Sequence, residues 1–123
     1  MKLLNDYFRI DSRKVEGDDT IFGITLIPDY GAYLGHFPGK PVSPGVCAIQ
    51  MIRECAELIA GKRLFLGYIS QCKWSAVMTP QTTPQAQLRL RLHEAEDILK
   101  INADVFDCTT TYVAFKGEMK QVI

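Results

Sequence analysis

His36 is one of two histidines in a chain of 123 residues, and it sits in Gly35-His36-Phe37-Pro38-Gly39-Lys40-Pro41-Val42-Ser43-Pro44-Gly45-Val46, which holds three prolines and three glycines and leads into an apolar stretch. Proline fixes φ and glycine opens backbone conformations closed to other residues, so such a run can hold one side chain rigidly beside a helix start. The first N–H groups of a helix lack intrahelical partners and carry a partial positive charge. An imidazole titrating near neutral pH beside oriented N–H donors is equipment for proton transfer and for stabilising an oxyanion. The run is not a phosphate loop. Three residues separate Gly35 from Gly39 where a Walker A motif has four, and Pro41 rather than Ser or Thr follows Lys40.

The element behind the run is a helix. Val46 to Ala60 contains no Gly or Pro and stops at Gly61, and Lys62 and Arg63 suit a helix C-terminus. Spaced at ~100° intervals, Gln50, Arg53, Glu54 and Glu57 fall within one arc of about 100° and the other positions are apolar, which predicts a helix covered on most sides. Ahead of the run, Phe8 to Val15 and Thr20 to Ile27 are rich in β-branched and aromatic residues and flank Glu16-Gly17-Asp18-Asp19, a hairpin signature. Pro28 to Gly45 is too long for an idle connection, and long ordered loops tend to carry function. Beyond the helix, Leu64 to Trp74, Gln85 to Leu92, Ile98 to Phe106 and Thr109 to Lys116 read as half-buried strands, with turns at Glu94-Ala95-Glu96-Asp97 and Asp107-Cys108. Trp74 is expected in the core and His93 on the surface. One helix after a hairpin, followed by antiparallel strands, predicts an α+β arrangement in which a single sheet covers the helix.

Composition narrows the function classes. Apolar residues make up 47% and charged residues 23%, and the length suits one domain spanning residues 1–123. Fourteen basic and fourteen acidic side chains cancel, so no global field gathers nucleic acid or anionic membrane. The start, Met1-Lys2-Leu3-Leu4-Asn5-Asp6, is too short in apolar residues for a signal peptide, and no run approaches the roughly 20 residues of a membrane span. A cytoplasmic protein is expected. Cys47, Cys55, Cys72 and Cys108 form no C-x-x-C pair and no zinc-ligand spacing, so they are expected as reduced, mostly packed thiols with no metal.

The run from Gly35 to Val46 resembles the signature of the 3-hydroxyacyl-acyl carrier protein dehydratases of fatty-acid synthesis, the FabZ and FabA type of hot-dog protein. Looser similarity extends from about Ile21 to Phe115. The resemblance implies a hot-dog fold, an antiparallel sheet wrapped around one central helix, and a homodimer or higher even-numbered oligomer whose sheets join edge to edge. It implies dehydration of a 3-hydroxyacyl thioester carried by acyl carrier protein, or by coenzyme A, with no cofactor. On this pattern His36 is the base that takes the α-proton, and the N–H groups of Gly45 and Val46 meet the thioester carbonyl. Tyr33, Phe37, Pro44 and Val46 are the candidates for lining the acyl site, with Tyr30, Tyr33 and Phe37 at its entrance or equally in the core. Lys40, Arg53, Lys62 and Arg63 are candidates for a docking patch facing the acidic carrier protein.

One position departs from the pattern. The family places a catalytic Glu or Asp on the helix where this chain has Gln50. A glutamine cannot release or take up the proton, though it can hydrogen-bond a hydroxyl, a water or a carbonyl. Either His36 handles both proton transfers with Gln50 orienting the hydroxyl, or Glu54, one turn and about 6 Å further along the axis, is an alternative acid, or dehydration is lost. Glu54 and Glu57 also have a plain reading as partners of Arg53 or of solvent. Two other functions therefore stand beside the dehydratase: a hot-dog thioesterase that positions water, and a non-catalytic acyl-binding subunit paired with an active homologue.

Overall fold

The computed structural model describes residues 4–5, 8–27, 45–76 and 85–122, with only the backbone of 45–47. Their elements are β1 (Phe8–Glu16), β2 (Asp19–Leu26), α1 (Gly45–Ala60), β3 (Leu64–Trp74), β4 (Gln85–Ala95), β5 (Ile98–Phe106) and β6 (Thr111–Gln121). The strands make one sheet in the order β1-β2-β4-β5-β6-β3, and every neighbouring pair is antiparallel. This is the expected hot-dog arrangement of one helix against a single antiparallel sheet.

Alternation in the sequence becomes the two faces of that sheet. Leu88 and Leu90 on β4 and Leu99, Ile101, Ala103 and Val105 on β5 are buried, while Arg89, Arg91, Lys100 and Asn102 point out to solvent. On the outer face Arg89 pairs with Asp104 at 2.7 Å and Arg91 with Asp19 at 2.8 Å. Such exposed pairs contribute roughly 0–1 kcal/mol each, so the inner face carries the stability. There α1 buries Ala48, Met51, Ile52, Cys55 and Ala56. Full burial of Met51 or Ile52 stabilises by about 1.5–3 kcal/mol each. The helix ends where Gly61 adopts φ 69° and its N–H reaches Glu57 O at 2.9 Å, a left-handed cap that a side chain would strain. Glu57 Oε2 then accepts from Leu64 N–H at 2.8 Å and fixes the start of β3 beneath the helix end.

Several boundaries differ from the sequence expectation. β4 runs on to Ala95, so the turn before β5 is short. β6 begins at Thr111 rather than Thr109 and continues to Gln121. The cause lies in the turn: Asp107 Oδ1 accepts from Thr109 N–H at 2.9 Å and Thr110 N–H at 2.8 Å, which removes those donors from the ladder. The hairpin keeps its expected place with strands shifted by a residue or so.

β3 is the larger correction. It was expected half-buried with Trp74 in the core, yet most of the strand is exposed. The row Phe22–Leu88–Val105–Val113–Trp74 crosses the sheet in register, and exposure along it goes from 1%, 0%, 0% and 1% to 51% at Trp74. Trp74 lies on the edge strand, at the end opposite its buried start at Leu64. Phe65, Tyr68 and Ile69 on the same strand are also exposed. The opposite edge, β1, carries Arg9, Asp11, Arg13, Lys14 and Glu16, charges that discourage strand addition. The thiols, expected to be mostly packed, divide as well: Cys55 is buried, Cys72 half-buried and Cys108 exposed, and the Cys47 side chain lies outside the described residues. His93 is exposed, as expected.

Candidate active site

Gln50 lies on the second turn of α1 and is half-buried. Its Nε2 donates to Glu54 Oε2 at 2.9 Å, the i to i+4 contact that helix geometry allows. Glu54 is 7% exposed, and its other oxygen, Oε1, accepts from Leu4 N–H at 3.0 Å. The N-terminal segment is thereby tied to the helix face by a residue 50 positions away in sequence. The plain reading gave Glu54 and Glu57 to Arg53 or to solvent, and among the described residues no ion pair to Arg53 uses these oxygens. They serve backbone N–H groups and Gln50 instead.

A cavity of about 600 Å³ opens along this face, lined by Gln50 and Glu54 together with Arg53, Lys62 and Arg63. Three of the four cations expected in a docking patch therefore border the same space as Gln50. Lys62 also pairs with Glu94 at 3.5 Å. Arg53 Nε is buried and has no hydrogen-bond partner among the described residues. Gly45 and Val46 are the first two residues of α1, so their N–H groups belong to the set without intrahelical acceptors.

His36, Tyr30, Tyr33, Phe37, Lys40 and Pro44 lie outside the described residues. Sequence reasoning missed the contact between Leu4 N–H and Glu54. No local signal could have announced it, because it depends on where the chain ahead of β1 is laid. Among the described residues no group of His, Cys, Asp and Glu could hold a metal ion, and no helix there is long and apolar enough to cross a membrane.

One helix packed against a single six-stranded antiparallel sheet defines the hot-dog class of fold, and comparison with known proteins gives the family within it. A family model described as ApeI-like, ApeI dehydratase, matches residues 12–114. The chain belongs to the ApeI-like dehydratase family.

The 3-hydroxyacyl-[acyl-carrier-protein] dehydratase FabZ of Rickettsia rickettsii (strain Sheila Smith) is 26% identical over 107 residues, 80% of this chain and 70% of that protein. FabZ of Lactiplantibacillus plantarum is 36% identical over 55 residues, 39% of this chain. That match spans 37% of the curated relative's own length. Among solved structures, the dehydratase heterocomplex ApeI:P from Xenorhabdus doucetiae gives a TM-score of 0.73 at 19% identity, covering 92% of this chain and 97% of that one. The dehydratase domain from the CurJ module of curacin polyketide synthase gives 0.59 at 13% identity over 93% of this chain and 42% of that chain. At these identities the solved structures speak for the fold.

Proposed function

We propose that this protein is a lyase that removes water from 3-hydroxyacyl thioesters, giving the trans-2-enoyl product, with acyl carrier protein as the thioester carrier and coenzyme A as the alternative. The observation that carries the reading is the Gly35–Val46 run joined directly to α1, whose second turn presents Gln50 at a cavity bordered by Arg53, Lys62 and Arg63. In this reading His36 takes the α-proton, and the Gly45 and Val46 N–H groups stabilise the enolate-like carbonyl oxygen. Tyr33, Phe37, Pro44 and Val46 line the acyl chain's path. Arg53, Lys62 and Arg63, with Lys40, meet the anionic carrier. The reaction needs no cofactor, and a cytoplasmic setting fits both the substrate and the carrier.

The working unit in this reading is a dimer built through β3. That edge exposes Phe65, Tyr68, Ile69 and Trp74, whereas the β1 edge is charged, so strand addition is favoured on one side only. A second reading is favoured by Gln50 itself: a subunit that binds the acyl chain and pairs with an active homologue. The Xenorhabdus neighbour is described as a heterocomplex, which supports that possibility.

Incubation with a 3-hydroxyacyl thioester on carrier protein, followed by mass spectrometry, tests the proposal. Loss of water supports the dehydratase. Hydrolysis to the free acid marks a thioesterase, and an unchanged substrate marks the paired subunit.

A further inference from the structure

Arg53 stands on the third turn of α1 with its Nε buried and without a hydrogen-bond partner among the described residues. A buried donor that meets no acceptor loses its hydration without compensation, so native structures rarely keep one unless a ligand or solvent reaches it. We propose that Arg53 anchors a phosphate subsite, and that the group it takes is the phosphate ester of the pantetheine arm that acyl carrier protein and coenzyme A share. The proposal rests on the reading above that the substrate is a thioester on one of those carriers.

The position of Arg53 needs an explanation that its neighbours do not. Lys62 and Arg63 follow the Gly61 cap and suit the negative end of the helix dipole, but that field fades within the last turn, and Arg53 lies seven residues before the helix end at Ala60. The carboxylates on the same arc are turned to other donors. Glu54 accepts from Leu4 N–H and Gln50, and Glu57 from Leu64 N–H. A guanidinium offers parallel N–H donors that match two phosphate oxygens, a geometry an ammonium lacks. Lys62, paired with Glu94 at 3.5 Å, and exposed Arg63 border the same cavity and add attraction at longer range.

The walls select the rest of the ligand. Leu4, Leu58, Leu64 and Val122 line the cavity of about 600 Å³ beside Arg53, and Leu58 and Val122 are exposed. A bare inorganic anion leaves those side chains in water. The pantetheine arm covers them, because a gem-dimethyl carbon stands close to its phosphate ester. The helix rise puts Arg53 about 10 Å along the axis from the Val46 N–H that meets the thioester carbonyl in the reading above, within reach of the extended arm.

Substrate truncation combined with substitution tests this. Arg53→Met keeps an unbranched apolar stem and removes the donors, and Arg53→Lys keeps the charge without the fork. The phosphopantetheine thioester and the pantetheine thioester differ only by the phosphate, so the ratio of their kcat/KM values measures the subsite. A charge-assisted contact of this kind changes affinity by about 10- to 100-fold. The ratio should fall by that factor in Arg53→Met, through KM with kcat little changed, and Arg53→Lys should recover only part of it. Thioesters of coenzyme A and of carrier protein distinguish the sources. Equal losses on both in Arg53→Met support the shared arm. A loss confined to one carrier assigns Arg53 to that carrier's own nucleotide or acidic surface and overturns the proposal, as does an unchanged ratio.

A second readout needs no turnover. Removing an unmet buried donor should leave unliganded Arg53→Met melting no lower than wild type. Phosphopantetheine should raise the wild-type melting temperature more than pantetheine or inorganic phosphate at equal concentration, and the extra rise should vanish in Arg53→Met. If this pattern holds while the wild type leaves 3-hydroxyacyl thioesters unchanged, the catalytic reading fails and the subsite stands. No extra rise in the wild type, or one that survives in Arg53→Met, overturns the subsite whatever the activity.

Discussion

Replacing Gly117 with alanine should loosen the β3 edge on which the proposed dimer depends. Gly117 is the β6 residue paired with Ile69 on one side and Ile101 on the other, and β3 carries register shifts between Leu66 and Tyr68 and between Ile69 and Gln71 beside it. A Cβ there would lie 2.6 Å from Tyr68 O and 2.9 Å from Phe115 Cζ. Both distances are roughly 1 Å inside ordinary contact. The Tyr68 oxygen is backbone and the Phe115 ring is buried, so neither can swing aside and β3 must shift. Overpacking of this kind costs about 1–3 kcal/mol, and the lost unfolded-state freedom of glycine offsets about 0.4–1 of it. The net loss is about 1–2 kcal/mol, or roughly 4–8 °C in Tm for a chain of this size. Gly67, on β3 itself, is the control, because a Cβ there meets only Glu118 O at 3.7 Å. Thermal melts at matched protein concentration should show G117A falling by that amount and G67A unchanged or slightly raised, with light scattering showing a weakened dimer only for G117A. A G117A melt within about 1 °C of wild type, or an equal fall in G67A, would refute the close-approach explanation.

Other expectations concern the site, the pH response and the thiols. His36→Ala should lower dehydration by about 10²-fold or more with little change in melting temperature, and retained turnover would remove His36 from the chemistry. The Tyr112 hydroxyl and the Thr109 and Thr110 N–H groups hold the Asp107 carboxyl down at about 2, below the ordinary 3.8, so this turn's contribution is complete above about pH 4 and fades as pH falls toward 2. The gap in Tm between wild type and Asp107→Asn should therefore narrow over that acid window, and a gap independent of pH would contradict the assignment. Burial, with the neighbouring Glu54 charge second, pushes the Cys55 thiol up to about 12 from an ordinary 9.0, leaving on the order of 10³-fold less thiolate at pH 8 than an unperturbed cysteine. Alkylation and peptide mapping should label Cys108 early and Cys55 only on unfolding; equal labelling of the two in the native protein would contradict the packing.

Elements were legible where local chemistry decides them. The helix from Val46 to Ala60 is found at Gly45–Ala60 because no competing signal interrupts it and Gly61 supplies the only residue suited to its cap. The alternation of β4 and β5 survives because both are central strands with one face on the helix and one in water. The start of β6 was misjudged because the Asp107 side chain competes with the ladder for Thr109 and Thr110, a contest that β-propensity does not register. Trp74 was misjudged for a different reason: apolar character at an edge strand is the same in sequence whether a helix or a second chain covers it.

The site divides along the same line. Residue types on one helix face follow from spacing, so Gln50, Arg53, Glu54 and Glu57 could be grouped before any coordinates. What Gln50 offers a ligand could not be read that way, since an amide is donor and acceptor at once and its orientation is set by whatever touches it. One such contact is Glu54, which also accepts from Leu4 N–H, and Leu4 lies far from both in the chain and has no side-chain chemistry to betray the role. The contacts from Leu4 N–H through the carboxylate to the Gln50 amide tie the N-terminal segment to the helix face, a link that neither α1 nor the Gly35–Val46 run specifies alone. A variant that disturbs the N-terminal segment near Leu4 should therefore leave the buried Glu54 carboxylate short of a donor and lower the melting temperature, even though Leu4 itself contributes only a backbone N–H; an unchanged melt would show that the tie adds nothing to stability.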